Sequence, residues 1–277
     1  MTKLKGKTVL ITGGASGIGK LMGKLALEKG AAVLIIWDID PGNIQKACLE
    51  LKPFGKVISY EVDVSNPAKV FEVAAQVKEA HGIVDILINN AGIVVGKYFH
   101  EHSVLEIDRT MKINASAPMH ITAQFLKDMI DQDFGHICNI SSSAGFTSNP
   151  RMSVYAASKW ALLGWSDSLR LEMQQLGKNV KVTTVTPYYI NTGMFAGVKS
   201  KVPILNPDKV AKKIIQGIEN NSIIVSMPWS MRFVRFFQGL FPIWFFDWFV
   251  GKVLGVYSTM DHFEGRKKDI IKTEVNQ

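Results

Sequence analysis

Seven short runs, nearly all of them continuously apolar or β-branched, recur along the chain and constrain its fold more than any other feature. They are TVLIT (Thr8–Thr12), AVLIIW (32–37), VISYEV (57–62), DILIN (85–89), HICNIS (136–141), VKVTTVT (180–186) and SIIVS (222–226). A strand with one wet face alternates apolar and polar residues, whereas a strand covered on both faces reads as an unbroken apolar run. Longer segments of helical character separate the runs, among them 103–130 and 153–176. This alternation predicts an α/β architecture: one doubly wound Rossmann-type domain, a seven-stranded parallel sheet with helices on both faces. Residues 1–228 form the expected catalytic part, and 229–277 an aromatic helical extension of the same domain. In such sheets ligands bind beyond the carboxyl ends of the strands, where the strand order reverses. The loops after the strands are therefore where chemistry is to be sought.

Composition removes several classes of function. At 47% hydrophobic and 20% charged residues, the chain of 277 residues can bury a full core. Its two cysteines, Cys48 and Cys138, cannot build a disulfide framework, and no Cys/His spacing suggests zinc. HEH, at His100 and His102, lacks a third ligand nearby and reads as solvated loop. The net charge of +8 gathers early, at Lys3, Lys5, Lys7, Lys20, Lys24 and Lys29, and reads as a solvated basic face. No basic region is interleaved with aromatics, so no nucleic-acid partner is expected. The first residues run straight into a strand without a signal-peptide core or an anchor helix, which makes a cytoplasmic location the expectation.

After the first run comes TGGASGIG, with Gly13, Gly17 and Gly19 as its fixed points and Ser16 and Ile18 between them. Glycines at a strand-to-helix turn let the backbone approach a diphosphate, and the helix that follows aims its N–H groups at it. The second run ends in Asp38, 19 residues beyond Gly19. A carboxylate there accepts hydrogen bonds from the adenosine ribose and repels a 2′-phosphate, so the expected cofactor is NAD rather than NADP.

Tyr155 and Lys159 stand in YAASK, at i and i+4 on one helix face. A free tyrosine titrates near 10, too high for a base at neutral pH, and an adjacent ammonium favours the phenolate. The expectation is a tyrosine tuned to exchange protons near neutrality. Other motifs stand in order around this pair: NNAG at Asn89–Gly92, Asp63 and Val64 after the third run, and NISSSAG at the end of the fifth. Together with TGGASGIG and YAASK, they resemble the short-chain dehydrogenase/reductase family.

That resemblance implies roles. Tyr155 would be the general acid and base; Lys159 would lower its pKa and hold the nicotinamide ribose. The family's serine lies 13 residues before the tyrosine, which gives Ser142, within a run of three serines. Asn114, in KINAS, matches the helix asparagine that holds a water in a proton relay behind the lysine. Asp63 and Val64 would flank the adenine, and Asn90, Ala91 and Gly92 would lie along the cofactor. In TPYYINTGMF, Pro187, Ile190 and Thr192 would border the cofactor, with Thr192 and the Ile190 backbone holding the carboxamide, but Tyr188 replaces the family's glycine. A glycine there suggests positive φ, which tyrosine tolerates poorly, so the local backbone is expected to differ. The two long helices resemble those of the family's dimer interface, which implies a homodimer or homotetramer.

Residues 231–256 carry a dense set of Phe and Trp. A membrane span needs about 20 apolar residues. Here Arg232, Arg235, Asp247 and Lys252 leave an uncharged run of only 11 residues, which Pro242 divides. Phe233, Phe236, Phe237, Leu240 and Phe241 fall on one stripe of an amphipathic helix. Three readings stay open: packing against the domain or a second subunit, a cap over an apolar substrate site, or a peripheral contact with a bilayer. This segment, the TPYYINTGMF loop and STMDHFEGRKK (258–268) are similar to the branch of retinol and hydroxysteroid dehydrogenases. The expected activity is hydride transfer between NAD and the alcohol or carbonyl of a retinoid, steroid or long-chain alcohol. The alternatives are a reductase of 3-oxoacyl thioesters and a non-catalytic NAD-binding scaffold.

Overall fold

The structure, a computed structural model, describes residues 1–265. Seven parallel strands form one sheet in the order β3-β2-β1-β4-β5-β6-β7. The strands are β1 (Thr8–Thr12), β2 (Val33–Asp38), β3 (Val57–Glu61), β4 (Ile86–Asn89), β5 (Gly135–Ile140), β6 (Val180–Pro187) and β7 (Ile224–Met227). Each lies within two residues of its predicted run. The reason is visible in β1, where every residue is buried. Val9 and Ile11 point into one core, Leu10 into the other.

The first core packs the sheet against α1 (Gly17–Glu28), α2 (Pro41–Leu51) and α7 (Pro207–Glu219). The second packs it against α3 (Pro67–His81), α5 (Ala117–Asp131) and α6 (Ser153–Gln175), with Trp37 tilted against Phe125 at its centre. Helices α2, α3 and α7 begin alike, with Asp40, Asn66 and Asn206 accepting a backbone N–H ahead of a proline in the first turn. The proline lacks only a donor that the first turn leaves unused, and its φ is already helical.

The segment predicted as one helix over 103–130 is helical throughout but not uniform. Helix α4 (Val104–Met111) runs through a π-helical turn, Lys112–Ser116, into α5. Pro118 supplies the cause. In a regular helix its ring would strike the carbonyl four residues earlier, and the widened turn relieves that clash. The residue four earlier is Asn114.

After β7 the chain forms two short helices, α8 (Val234–Leu240) and α9 (Ile243–Trp248), then a π-helical turn, Phe249–Val253. No helix among the described residues is long and apolar enough to cross a membrane. The last part of STMDHFEGRKK, residues 266–268, lies outside the described residues.

Candidate active site

The strand order reverses between β1 and β4, and the loops after these two strands are tied together. The Thr12 hydroxyl accepts the backbone N–H of Asn90 and of Ala91, each at 3.0 Å. In return the Asn90 amide donates to the carbonyls of Thr12 at 2.9 Å and Gly13 at 3.0 Å. Asn90 therefore shapes the turn as well as facing the cleft. Thr12 was not singled out from sequence; its signal was its position as the last residue of the strand that feeds the glycine loop.

Gly13 and Gly17 take positive φ, +60° and +53°. Gly19 is needed for another reason: a Cβ there would stand 2.2 Å from the Gly13 carbonyl oxygen. It backs the glycine loop from behind, against Gly13 and Asn90. Helix α1 starts with no side-chain cap and no acid in its first turn. Its opening N–H groups are a site for an anion such as a diphosphate. At the end of β2, Asp38 accepts from Ala15 N at 3.0 Å on one oxygen and from Ile39 N at 2.9 Å on the other. A dinucleotide fits this cradle. Ser16, Gly17, Ile18, Asp38, Asp63, Val64, Asn90, Ala91, Gly92, Pro187, Ile190 and Thr192 all border one cavity of about 1530 Å³. That exceeds a common small-molecule site of roughly 300–1,000 Å³.

The same cavity is bordered by Ser142, Tyr155 and Lys159. Tyr155 and Lys159 sit one turn apart on α6, both buried, with the ammonium 5.7 Å from the phenol ring centre. Lys159 Nζ donates to the Ile140 carbonyl at 2.8 Å, at the end of β5. Asn114 stands behind them, fully buried and outside the cavity wall. It accepts from Ile93 N at 2.9 Å and donates to Ile93 O at 2.8 Å and Ser158 Oγ at 3.1 Å. A Cβ on Gly92 would lie 3.2 Å from Asn114 Oδ1 and 3.7 Å from Lys159 Nζ, so the bare glycine lets these elements close up.

The electrostatics of this corner differ from the expectation. Burial pushes the Tyr155 phenol up to about 12, against a hydrogen bond with Ser142 that works downward. Burial also pulls the Lys159 ammonium down to about 8. In the protein by itself desolvation, not the lysine's charge, governs the tyrosine.

The far end of the cavity is aromatic. Tyr188 and Tyr189 pack edge to face at 4.6 Å, and Phe195 stands edge-on to Tyr155 at 6.1 Å. Tyr188 is not among the described non-glycine residues with positive φ, so the replacement of glycine is accommodated without strain there. Its hydroxyl meets Ser200 Oγ at 2.9 Å. Phe237, Phe241, Phe245, Phe246, Phe249 and Val250 complete the wall. The aromatic segment thus covers one side of the cavity. Gln238 ties it to the loop after β5 by donating to the Phe146 carbonyl at 3.0 Å. In that loop the Asn149 amide donates to Tyr189 Oη at 3.0 Å and to Thr259 Oγ1, just beyond the segment, at 2.9 Å. Sequence reasoning missed Asn149 because its partners lie 40 and 110 residues away.

HEH is not uniformly solvated loop. His100 is exposed and stacks on Tyr98, but the His102 side chain is buried with Nδ1 4.0 Å from Glu106. No cluster among the described residues could hold a metal ion.

Comparison with known proteins agrees with this geometry. A family model described as short chain dehydrogenase matches residues 7–203. The chain is 36% identical over 272 residues to human (Homo sapiens) epidermal retinol dehydrogenase 2, covering 96% of this chain and 87% of that one. It is 32% identical over 240 residues to estradiol 17-beta-dehydrogenase 11 of Pongo abelii, covering 86% and 80%. Among solved structures, a short chain dehydrogenase/reductase from Burkholderia phymatum in complex with NAD superposes with a TM-score of 0.78. The identity is 26%, over 85% of this chain and 94% of that one. A metagenomic short-chain oxidoreductase in complex with NADP gives 0.70 at 28% identity, over 81% and 96%.

Proposed function

The chain belongs to the short-chain dehydrogenase family, and from that premise we propose that it moves a hydride between NAD and the alcohol or carbonyl group of a bulky apolar substrate. Membership makes it an NAD(P)-dependent oxidoreductase of the branch that holds retinol and hydroxysteroid dehydrogenases. The choice of NAD rests on Asp38, a carboxylate at the ribose end with no cation among the described residues hydrogen-bonded to it. The choice of substrate rests on one observation: the cavity that takes in Tyr155 continues into a wall of phenylalanines and tyrosines.

The glycine loop and the start of α1 would hold the diphosphate, Asp38 the adenosine ribose, Asp63 and Val64 the adenine surround, and Lys159 the nicotinamide ribose. Ile190 and Thr192 would face the carboxamide. When bound, the nicotinamide supplies or accepts the hydride. Ser142 hydrogen-bonds the substrate oxygen and orients it toward Tyr155. In the direction of oxidation, Tyr155 Oη takes the hydroxyl proton as the C–H electron pair departs and the C=O bond forms. In reduction it gives the proton back. A phenol near 12 is protonated at neutral pH and is ready to act as the acid. To act as the base it depends on Ser142 and on a charged Lys159, so oxidation is expected to rise with pH only until the Lys159 charge is lost at about 8. Asn114, pinned in its π-turn, keeps the α4–α5 segment against Ile93 and Ser158, next to Lys159.

The test is formation of NADH from NAD, or of NADPH from NADP, by the purified protein with a panel of alcohols from ethanol to retinol, sterols and fatty alcohols. Expected are a preference of about tenfold or more for NAD, turnover of the large apolar members, and a loss of at least about a hundredfold in Tyr155→Phe. Unchanged turnover in Tyr155→Phe would remove the acid/base assignment. Turnover confined to small polar alcohols would remove the substrate class.

A further inference from the structure

The roof over the cavity has two apolar faces. Phe237, Phe241 and Phe245 point to the cavity. From the same short helices Phe236, Leu240, Ile243 and Trp244 point to solvent, at 64%, 59%, 78% and 72% exposure, and Trp229 and Trp248 join them at 65% and 49%. Ring contacts of 5.0–6.1 Å run without a gap from Phe237 through Phe241 and Phe245 to Trp244 and Trp248. Soluble chains seldom leave so continuous an apolar face to water.

Charge indicates what covers it. In 229–256 the only acid is Asp247, and its carboxylate accepts the Tyr257 hydroxyl at 2.5 Å. Arg235 is turned onto the Phe146 ring. Arg232 and Lys252, in the same segment, remain exposed. Exposed Lys201 joins them, donating to the Val253 carbonyl at 3.2 Å. A second copy docking by a two-fold axis would bring the same face, on which Asp247 is the only acid and is already bonded to Tyr257, and so would offer these cations no free acid to pair with. A sheet of anionic headgroups above an acyl phase suits both the cations and the rings. With seven residues in α8 and six in α9, the helices are far too short to span and are suited to lying in the interface.

We infer that the outer face of α8 and α9 docks on the surface of an anionic phospholipid bilayer. Docked so, the cavity lies one layer of side chains from the lipid phase. The contact deepens the reading of the cavity as an apolar substrate site and rests on that reading for its purpose. Its existence is tested without substrate or cofactor, so the two can fail separately.

The experiment is sedimentation of the full chain with vesicles of phosphatidylcholine alone and of phosphatidylcholine mixed with phosphatidylserine. Quenching of tryptophan fluorescence by brominated phosphatidylcholine is read in parallel. Expected are stronger binding to the anionic vesicles and quenching. A drop in binding of about tenfold or more is expected in Ile243→Glu with Trp244→Glu, at an unchanged unfolding midpoint. The milder pair Trp244→Phe and Trp248→Phe should still sediment while losing most of the quenching. Wild-type protein that stays in the supernatant, or a double Glu variant that sediments like wild type, overturns the inference. A dimer in analytical ultracentrifugation that the double Glu variant splits, with no vesicle binding, overturns it too and assigns the face to a second copy.

Discussion

Lys159 is held where its charge is costly. Its ammonium falls from 10.5 to about 8 on burial. Between those values the unfolded chain binds a proton that the folded protein has released, so stability rises with pH across that window. Below about 8 the buried charge costs the fold roughly 3 kcal/mol relative to water. Lys159→Met removes the term. The stability difference between wild type and this variant should therefore shift toward wild type by roughly 3 kcal/mol between pH 8 and 10.5, while activity is absent throughout. Urea unfolding of both proteins at a series of pH values measures it. A pH-independent difference would mean that the ammonium is solvated. That the fold keeps a lysine there at all is understandable if its charge supports a phenolate opposite it.

At the scale of elements, the loop between β1 and α1 depends on close approach. A methyl group at Gly19 would meet a backbone oxygen, which cannot rotate away as a side chain would. Gly19→Ala should displace the Gly13 carbonyl and with it the Asn90 bond. NAD affinity by calorimetry is expected to fall by about tenfold or more, with the rest of the fold intact by circular dichroism. Undiminished affinity would show that the loop has room to shift. The strands were legible in sequence because burial on both faces leaves an unbroken apolar signature. The π-turn at Lys112–Ser116 was not, since Pro118 reads equally well as a break or a bulge until the packing around Asn114 is known.

Across the whole molecule the two ends of the sheet do different work. The carboxyl ends carry the cavity. Near the amino ends His136, fully buried on β5, meets Thr2 Oγ1 at 3.0 Å and Thr183 Oγ1 at 2.9 Å, joining the first residues of the chain to β5 and β6. Burial takes its imidazole from 6.5 down to about 3. As pH falls between these values the unfolded chain gains a proton that the folded protein refuses, so stability declines from pH 6.5 downward. The loss approaches about 5 kcal/mol by pH 3. Denaturant unfolding should show this slope in wild type and a flatter one in His136→Asn; equal slopes would mean that other groups set the acid limit.

The sequence by itself determined the sheet, the glycine loop and the Tyr155–Lys159 pair. Each is written in residues close together in the chain, and a periodicity, a glycine spacing or an i, i+4 pair is a local property. Only the tertiary structure decided that His102 is buried, that desolvation outweighs the Lys159 charge at Tyr155, and that Phe241 and Phe245 roof the cavity while Trp244 faces outward. Burial and dielectric are set by everything that surrounds a group, and most of those neighbours are distant in sequence. A stripe of aromatics announces that a face will be covered, but whether a cavity, a subunit or a lipid covers it depends on where the fold sets that face.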